Sequence, residues 1–228
     1  MSEIRADKLH NVSGDNDSGI DLSTNDQIIL KTANTAALTI SSSQVATFSK
    51  NTVGAGDMVL IHTTQVSSGV GEVIIDGHFS SAYKNYKLIA SNVEVATDGA
   101  NMNLHFYKSG SKATGSVHRS IQIIAGSGGT SVSGVAEQSD TEFAKVGGEN
   151  IGNDDEQTNF EITFYDPLAT NNFKQFYAHA VHQQSGRNAD MRITTGFFNS
   201  FQQALSGFEV TPSSGNINLG TFKLYGFQ

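Results

Sequence analysis

Over the first fifty positions the apolar residues come in short clusters, at Ile20 and Leu22, Ile28 to Leu30, Leu38 and Ile40, and Val45 and Phe48. Turns rich in Ser, Thr, Asn and Asp separate them, and a recurrence roughly every 8–10 residues is the spacing of short strands joined by turns. Residues 3–12 are imperfectly alternating and read as extended, and residues 15–19 (DNDSG) read as a turn. A segment this small and polar buries too little apolar area to offset the entropy of ordering its backbone. Two states satisfy that constraint. Either the segment is a disordered linker, or it completes its core with copies of itself from other chains, which points to an elongated assembly. Residues 49–57, with Gly54-Ala55-Gly56, read as a hinge.

From Met58 onward the pattern changes to longer runs of period-2 alternation. Strands are predicted at residues 58–66, 72–76, 86–95, 102–108, 118–124, 141–146, 160–165, 175–182, 191–197, 207–210 and 220–227. Met102, Leu104 and Phe106 alternate with Asn103, His105 and Tyr107, and Phe160, Ile162 and Phe164 alternate with Glu161, Thr163 and Tyr165. Each strand thus has one core face and one wetter face, the pattern of two packed antiparallel sheets. Roughly ten such strands suit an all-β, jelly-roll-like sandwich. Sustained helical periodicity is absent, and only residues 83–90 or 200–205 suggest a turn of helix.

Composition agrees with an all-β chain. Hydrophobic residues make up 37% and charged residues only 16%, so uncharged Ser, Thr, Asn, Gln and Gly carry the polarity. Such a chain lacks the high charge of a disordered one, and its 14 Phe and 6 Tyr supply a β-rich core. The net charge is −8 and the basic residues are scattered, so no basic face exists for DNA or RNA. With no cysteine there is neither a disulfide scaffold nor a thiolate metal site. The opening residues lack the apolar stretch of a secretory signal. The longest apolar run, residues 58–61, is far too short to enter a bilayer as a span.

Long polar loops are expected at residues 126–134, 147–159 and 183–190. Loops on a rigid scaffold are where binding residues concentrate. The candidate receptor-contact residues are therefore Ser127, Thr130, Ser131, Asn153, Asp154, Asp155, Gln184, Arg187 and Asn188. Catalysis is not expected. The Gly-x-Ser-x-Gly turn that strains a serine nucleophile is missing, Ser127 in Gly126-Ser-Gly-Gly being the nearest approach. Phosphate-binding glycine fingerprints are missing too. Asp154-Asp155-Glu156 is the densest acidic run. Loop neighbours are poorly placed to straddle a glycosidic bond, so a solvated loop is expected there. Neither that run nor Asp15-x-Asp17-x-Gly19 supplies a full calcium shell. His179 and His182 fall on opposite faces of one strand, and His62, His105 and His118 fall on separate strands as partly exposed residues, so no metal or other cofactor is expected. Tyr83, Tyr86 and Tyr107 are the aromatic candidates for stacking on a sugar, with packing between strands as the alternative for the last two.

Four stretches carry a family resemblance. Residues 2–14 (SEIRADKLHNVSG) resemble the start of marine tailed-phage fibre proteins, and residues 37–41 (ALTIS) with 45–48 (VATF) resemble the repetitive shaft of phage tail fibres. Residues 83–99 (YKNYKLIASNVEVATDG) with 102–106 (MNLHF), and the final TFKLYGF at 221–227, are similar to segments of the C-terminal domains of those proteins. The resemblance implies a virion appendage, a homotrimer assembled in the host cytoplasm. Residues 1–18 would attach to other virion proteins, residues 19–50 would form an intertwined trimeric β-stem, and residues 57–228 would form a β-sandwich that meets a host cell-surface glycan or protein. A capsid-surface decoration fibre of the same build and a host-glycan depolymerase are the rival expectations.

Overall fold

A computed structural model describes residues 8–10, 19–23, 27–32, 35–43, 46–48, 58–115, 118–127, 129, 132–141, 143–148, 150–153, 156–184, 186, 188–199 and 203–228. The expected hinge at 49–57 lies outside the described residues, as does most of the attachment segment at 1–18. The chain divides into two units, Met1–Gly54 and Ala55–Gln228.

In the first unit each apolar cluster becomes a strand. β1 (Lys8–His10), β2 (Gly19–Asp21), β3 (Ile28–Thr32), β4 (Thr35–Ile40) and β5 (Ala46–Phe48) pair in sequence order as one antiparallel meander. Register decides what each side presents. Leu9 stands opposite Ile20, Ile20 opposite Leu30, and Leu30 opposite Leu38, so these residues form one cross-strand row. Ile28 and Ile40, also opposite each other, extend the same face. The reverse face carries Lys8, Asp21, Ile29, Lys31 and Thr39. A meander is a single layer, whereas a stable fold buries its apolar face against a second one. Here Leu9 and Ile28 are each 45% exposed, while Asp21, on the reverse face, is buried.

Asp21 is buried because its charge is matched. Lys31 and the Ser23 hydroxyl donate to its carboxylate, the Ser23 amide donates at 3.0 Å, and the Lys8 ammonium lies 3.8 Å away. The Lys31 hydrogen bond first, and those from Ser23 next, hold its carboxyl well below the usual range. The folded carboxyl therefore takes up a proton less readily than the unfolded one. Its stabilisation is complete above about pH 4 and is lost as the pH falls toward the folded value. Hydrogen exchange should show protection of the β2 and β3 amides weakening below about pH 4, and Asp21→Asn should flatten that dependence.

The second unit is the expected antiparallel sandwich. Its strands are β6 (Val59–Val66), β7 (Val73–Asp76), β8 (Asn85–Val95), β9 (Met102–Lys108), β10 (Ser111–Lys112), β11 (His118–Gly126), β12 (Ser133–Thr141), β13 (Ala144–Lys145), β14 (Thr158–Tyr165), β15 (Lys174–Gln183), β16 (Ala189–Phe198), β17 (Gly207–Pro212) and β18 (Ile217–Phe227). The sheets are unequal. Eight strands run in the order β12-β11-β16-β15-β14-β8-β18-β6, against a smaller sheet ordered β10-β9-β17-β7, with β13 also on β9. Aromatic rings fill the space between them. Phe164 of β14 stacks on Phe208 of β17 at 4.6 Å, and Phe106 of β9 meets Phe176 and Phe198 at 5.7 and 5.5 Å.

Three expectations are corrected. Residues 85–90 are strand, not helix, because Tyr86, Leu88 and Ala90 alternate into the core. The strand expected over 141–146 is divided: Thr141 ends β12, and only Ala144 and Lys145 pair with β9. Ser133 and Gly134, expected to end the loop at 126–134, begin strand β12, which pairs along β11. Residues 200–202 of the other suggested helical turn lie outside the described residues.

Candidate functional site

The three polar loops meet at one end of the large sheet. Between β13 and β14 the chain forms a strap: Ile151 bridges Ala100 on one side and Gln184 on the other. The Gly152 amide donates to the Gln183 carbonyl at 3.1 Å. At the β15–β16 turn the Gln184 amide donates to the Asn188 carbonyl at 2.9 Å. After β11 the Ser127 amide donates to the Ala189 carbonyl, and the Ser127 hydroxyl accepts from the Ala189 amide at 2.9 Å. Thus Ser127, Asn153, Gln184 and Asn188 come together at one end. Ser127 and Gln184 commit side-chain groups to closing it, while Asn188 faces outward. Thr130, Ser131, Asp154, Asp155 and Arg187 lie outside the described residues.

Beneath this end the sandwich interior is polar. Arg192 donates to the Gln122 side-chain carbonyl, Gln184 Nε2 donates to Asp190 Oδ2 at 2.9 Å, and His182 Nε2 lies 3.4 Å from the same oxygen. The strap closes over this layer, and a Cβ at Gly148 would lie 2.9 Å from the His182 ring.

The two strands that carry this layer are built inside out. On β11 the isoleucines Ile121 and Ile123 are 54% and 45% exposed, while Gln122 between them is 2% exposed. On β16, Arg192 is 1% exposed and lies between Met191 and Ile193, which face outward. Register places Ile123 opposite Ile193, and Met191 opposite Val181 of β15. The result is a contiguous aliphatic patch on the outer face of the sheet. Contiguous exposed apolar surface on a soluble fold marks a contact with something else.

The candidate chemistry is arranged for structure. Glu156, expected in a solvated loop, is buried, and its carboxylate folds back over Gly152 so closely that a Cβ there would lie 2.1 Å from Oε2. Glu209 on β17 is fully buried; it accepts from Lys112 Nζ at 2.6 Å and from the Tyr107 hydroxyl at 3.0 Å. Burial, and then the bond to Glu209, pushes the Tyr107 phenol up to about 12. His118, expected to be partly exposed, is buried and stacks on Phe106 at 4.8 Å. Among the described residues no three His, Cys, Asp or Glu side chains form a metal cluster.

The aromatic candidates also change. Tyr86 is fully buried, with its hydroxyl donating to the Ser80 carbonyl at 2.6 Å, and Tyr107 is buried against Glu209. Tyr83 packs edge-on against Tyr86. Among the described residues the exposed rings are instead Tyr165 and Phe173, the latter beside Phe197. Alternation at 160–165 places Tyr165 outside, but nothing in the sequence signals that residues 171–173 lie beside it. Compared with family models, curated proteins and solved structures, the chain matches none.

Proposed function

We propose that this chain is a non-enzymatic structural appendage of a tailed-phage particle, a homotrimer that meets the host cell surface through its sandwich unit. The carrying observation is the one-sided meander of the first unit. Its row of Leu9, Ile20, Leu30 and Leu38 is apolar and open, while its charged side is neutralised within the chain. Such a sheet becomes stable once its apolar face meets the same face of neighbouring chains. Within one chain the described strands pair in sequence order, and the contact proposed between chains is the one between these apolar faces.

The inside-out strands β11 and β16 support the same reading for the second unit. Sandwiches packed side by side would cover the aliphatic patch, leaving the polar loop end available for contact. Three sites tied together raise avidity with no new contact in any of them. The fibre-like stretches at residues 2–14, 37–48, 83–106 and 221–227 agree with this role, and the N-terminal segment would dock on other virion proteins.

Sedimentation of the full-length protein tests the proposal. The expected mass is three times the 24.3 kDa of one chain, and labelled antibody should decorate the particle surface. A single 24.3 kDa species at micromolar concentration would overturn it.

A further inference from the structure

At the opposite end of the large sheet from the loops, the outer face carries one cross-strand row: Arg119 on β11, Phe197 on β16, Gln175 on β15 and Tyr165 on β14. Three gaps at the usual strand spacing of roughly 4.8 Å make this row about 14 Å long. Two adjoining hollows flank it and share Gln175. One, of about 610 Å³, lies beside Arg119 and Phe197 and reaches Ile121 at the edge of the aliphatic patch; the other, of about 440 Å³, lies between Tyr165 and Phe173 and is rimmed by Asn171 and Asn172. Both volumes fall in the range of small-molecule sites.

We propose that this row is a binding platform for a short oligosaccharide. A pyranose has an apolar C–H face and a rim of hydroxyls. It therefore calls for exposed aromatic rings with planar polar groups set between them. The row supplies that alternation: guanidinium, phenyl, amide, phenol. Phe173 adds a second ring, tilted 46° to Phe197 at 5.3 Å, so the two together bound a corner instead of lying flat.

The platform is pre-formed. Buried Lys174 donates to the Asn172 carbonyl at 3.2 Å, fixing the chain that presents Phe173. The Ala169 amide donates to the Asp166 carbonyl at 3.0 Å, and Lys84 pairs with the Asp166 carboxylate. A rim already ordered loses little entropy when a ligand binds. A second copy of this chain is the less suitable occupant, because a sheet face laid on this row would leave the two hollows empty.

The platform's use in host attachment rests on the appendage reading; its saccharide chemistry does not. Saturation-transfer NMR on the full-length protein, with chitotriose, maltotriose and trigalacturonic acid as probes, tests it. Transfer to the ring protons of at least one probe is expected, and the acidic probe distinguishes an Arg119-led site from a neutral one. Tyr165→Ala and Gln175→Ala, both exposed positions, should each weaken binding about tenfold, the scale of one lost ring or amide contact. Their circular dichroism should be unchanged. Absence of transfer from all three probes at millimolar concentration would overturn the platform, as would transfer that neither substitution alters. A changed sedimentation mass in either variant would overturn it too, by making the face a subunit contact. A monomer that binds a trisaccharide would keep the platform and end the trimer; a trimer that binds none would do the reverse.

Discussion

Full-length protein carrying both Ile28→Asp and Leu38→Asp is expected to sediment as a single chain, whereas the unchanged protein is expected to sediment as the proposed trimer. The two residues lie on the same face of adjacent strands, Ile28 opposite Ile40 and Leu38 opposite Leu30. Ile28 is 45% exposed and Leu38 half-buried in the single chain, so the new charges cost the single chain less than they cost the association. The cost arises on association, where each aspartate would enter an apolar contact without a partner. Breaking the charge balance of a buried contact costs roughly 3–5 kcal/mol, and even the lower figure weakens association more than a hundredfold. Thr39→Asp is the matched control, since Thr39 pairs with Ile29 on the reverse face, and it should leave the mass unchanged. An intact trimer in the double variant would refute the stem. Equal dissociation in the control would mean that charge on β4 simply unfolds the meander.

The second large effect is in the sandwich. Phe106→Ala should lower its stability by about 3–5 kcal/mol, the usual cost of truncating a buried phenylalanine. Phe106 is 1% exposed and belongs to the small sheet, yet its ring packs edge-on to Phe164, Phe176 and Phe198, which come from three strands of the large one. Its loss opens a void between the layers that backbone hydrogen bonding cannot close. For a unit of this size the loss is on the order of 10 °C in melting temperature. Thermal denaturation followed by near-UV circular dichroism will read it, because the surrounding rings lose their fixed setting. A shift of under about 3 °C, equivalent to roughly 1 kcal/mol, would show that the layers are held elsewhere.

Alternation of apolar and polar residues was enough to locate most strands, because a half-buried strand writes its period into the sequence. β9 was legible to the residue, and β8, β14 and β15 nearly so. β12 was not legible. Its sequence SGVAEQSDT is polar nearly throughout and so writes no apolar period, and among the described residues it lies at the edge of the large sheet beside β11. β10 is two residues after a turn at Ser109 and Gly110, both with positive φ, too short for any period. The meander's strands were legible and its intrachain pairing order was not, because cluster spacing does not distinguish a sheet within one chain from one shared among several.

The candidate sites were harder to read for a physical reason. Period tells that a strand has two faces, but not which one points inward. At β11 the rule that isoleucine is buried and glutamine exposed fails outright. The small sheet and strap close over a polar layer there, leaving the isoleucines on the outside. His118 was misjudged through the same inversion. The loop residues Ser127 and Gln184 were singled out as receptor-contact candidates; in the fold their hydrogen bonds close strand ends, a role visible only once the loops are brought together. The row Arg119, Phe197, Gln175 and Tyr165 spans residues 119 to 197 and exists only through register.

Within the chain each described strand of the meander pairs with its sequence neighbours, β1 and β5 on one side each. If the proposed trimer joins its chains through their apolar faces alone, they would part by sliding dry surfaces away from one another, with no backbone to unthread. Tagged and untagged trimers left together would then trade members while every sheet stays folded, at a pace set by dilution and temperature. A stalk built in that way would be a reversible joint, and its permanence would have to come from whatever else held the three chains side by side.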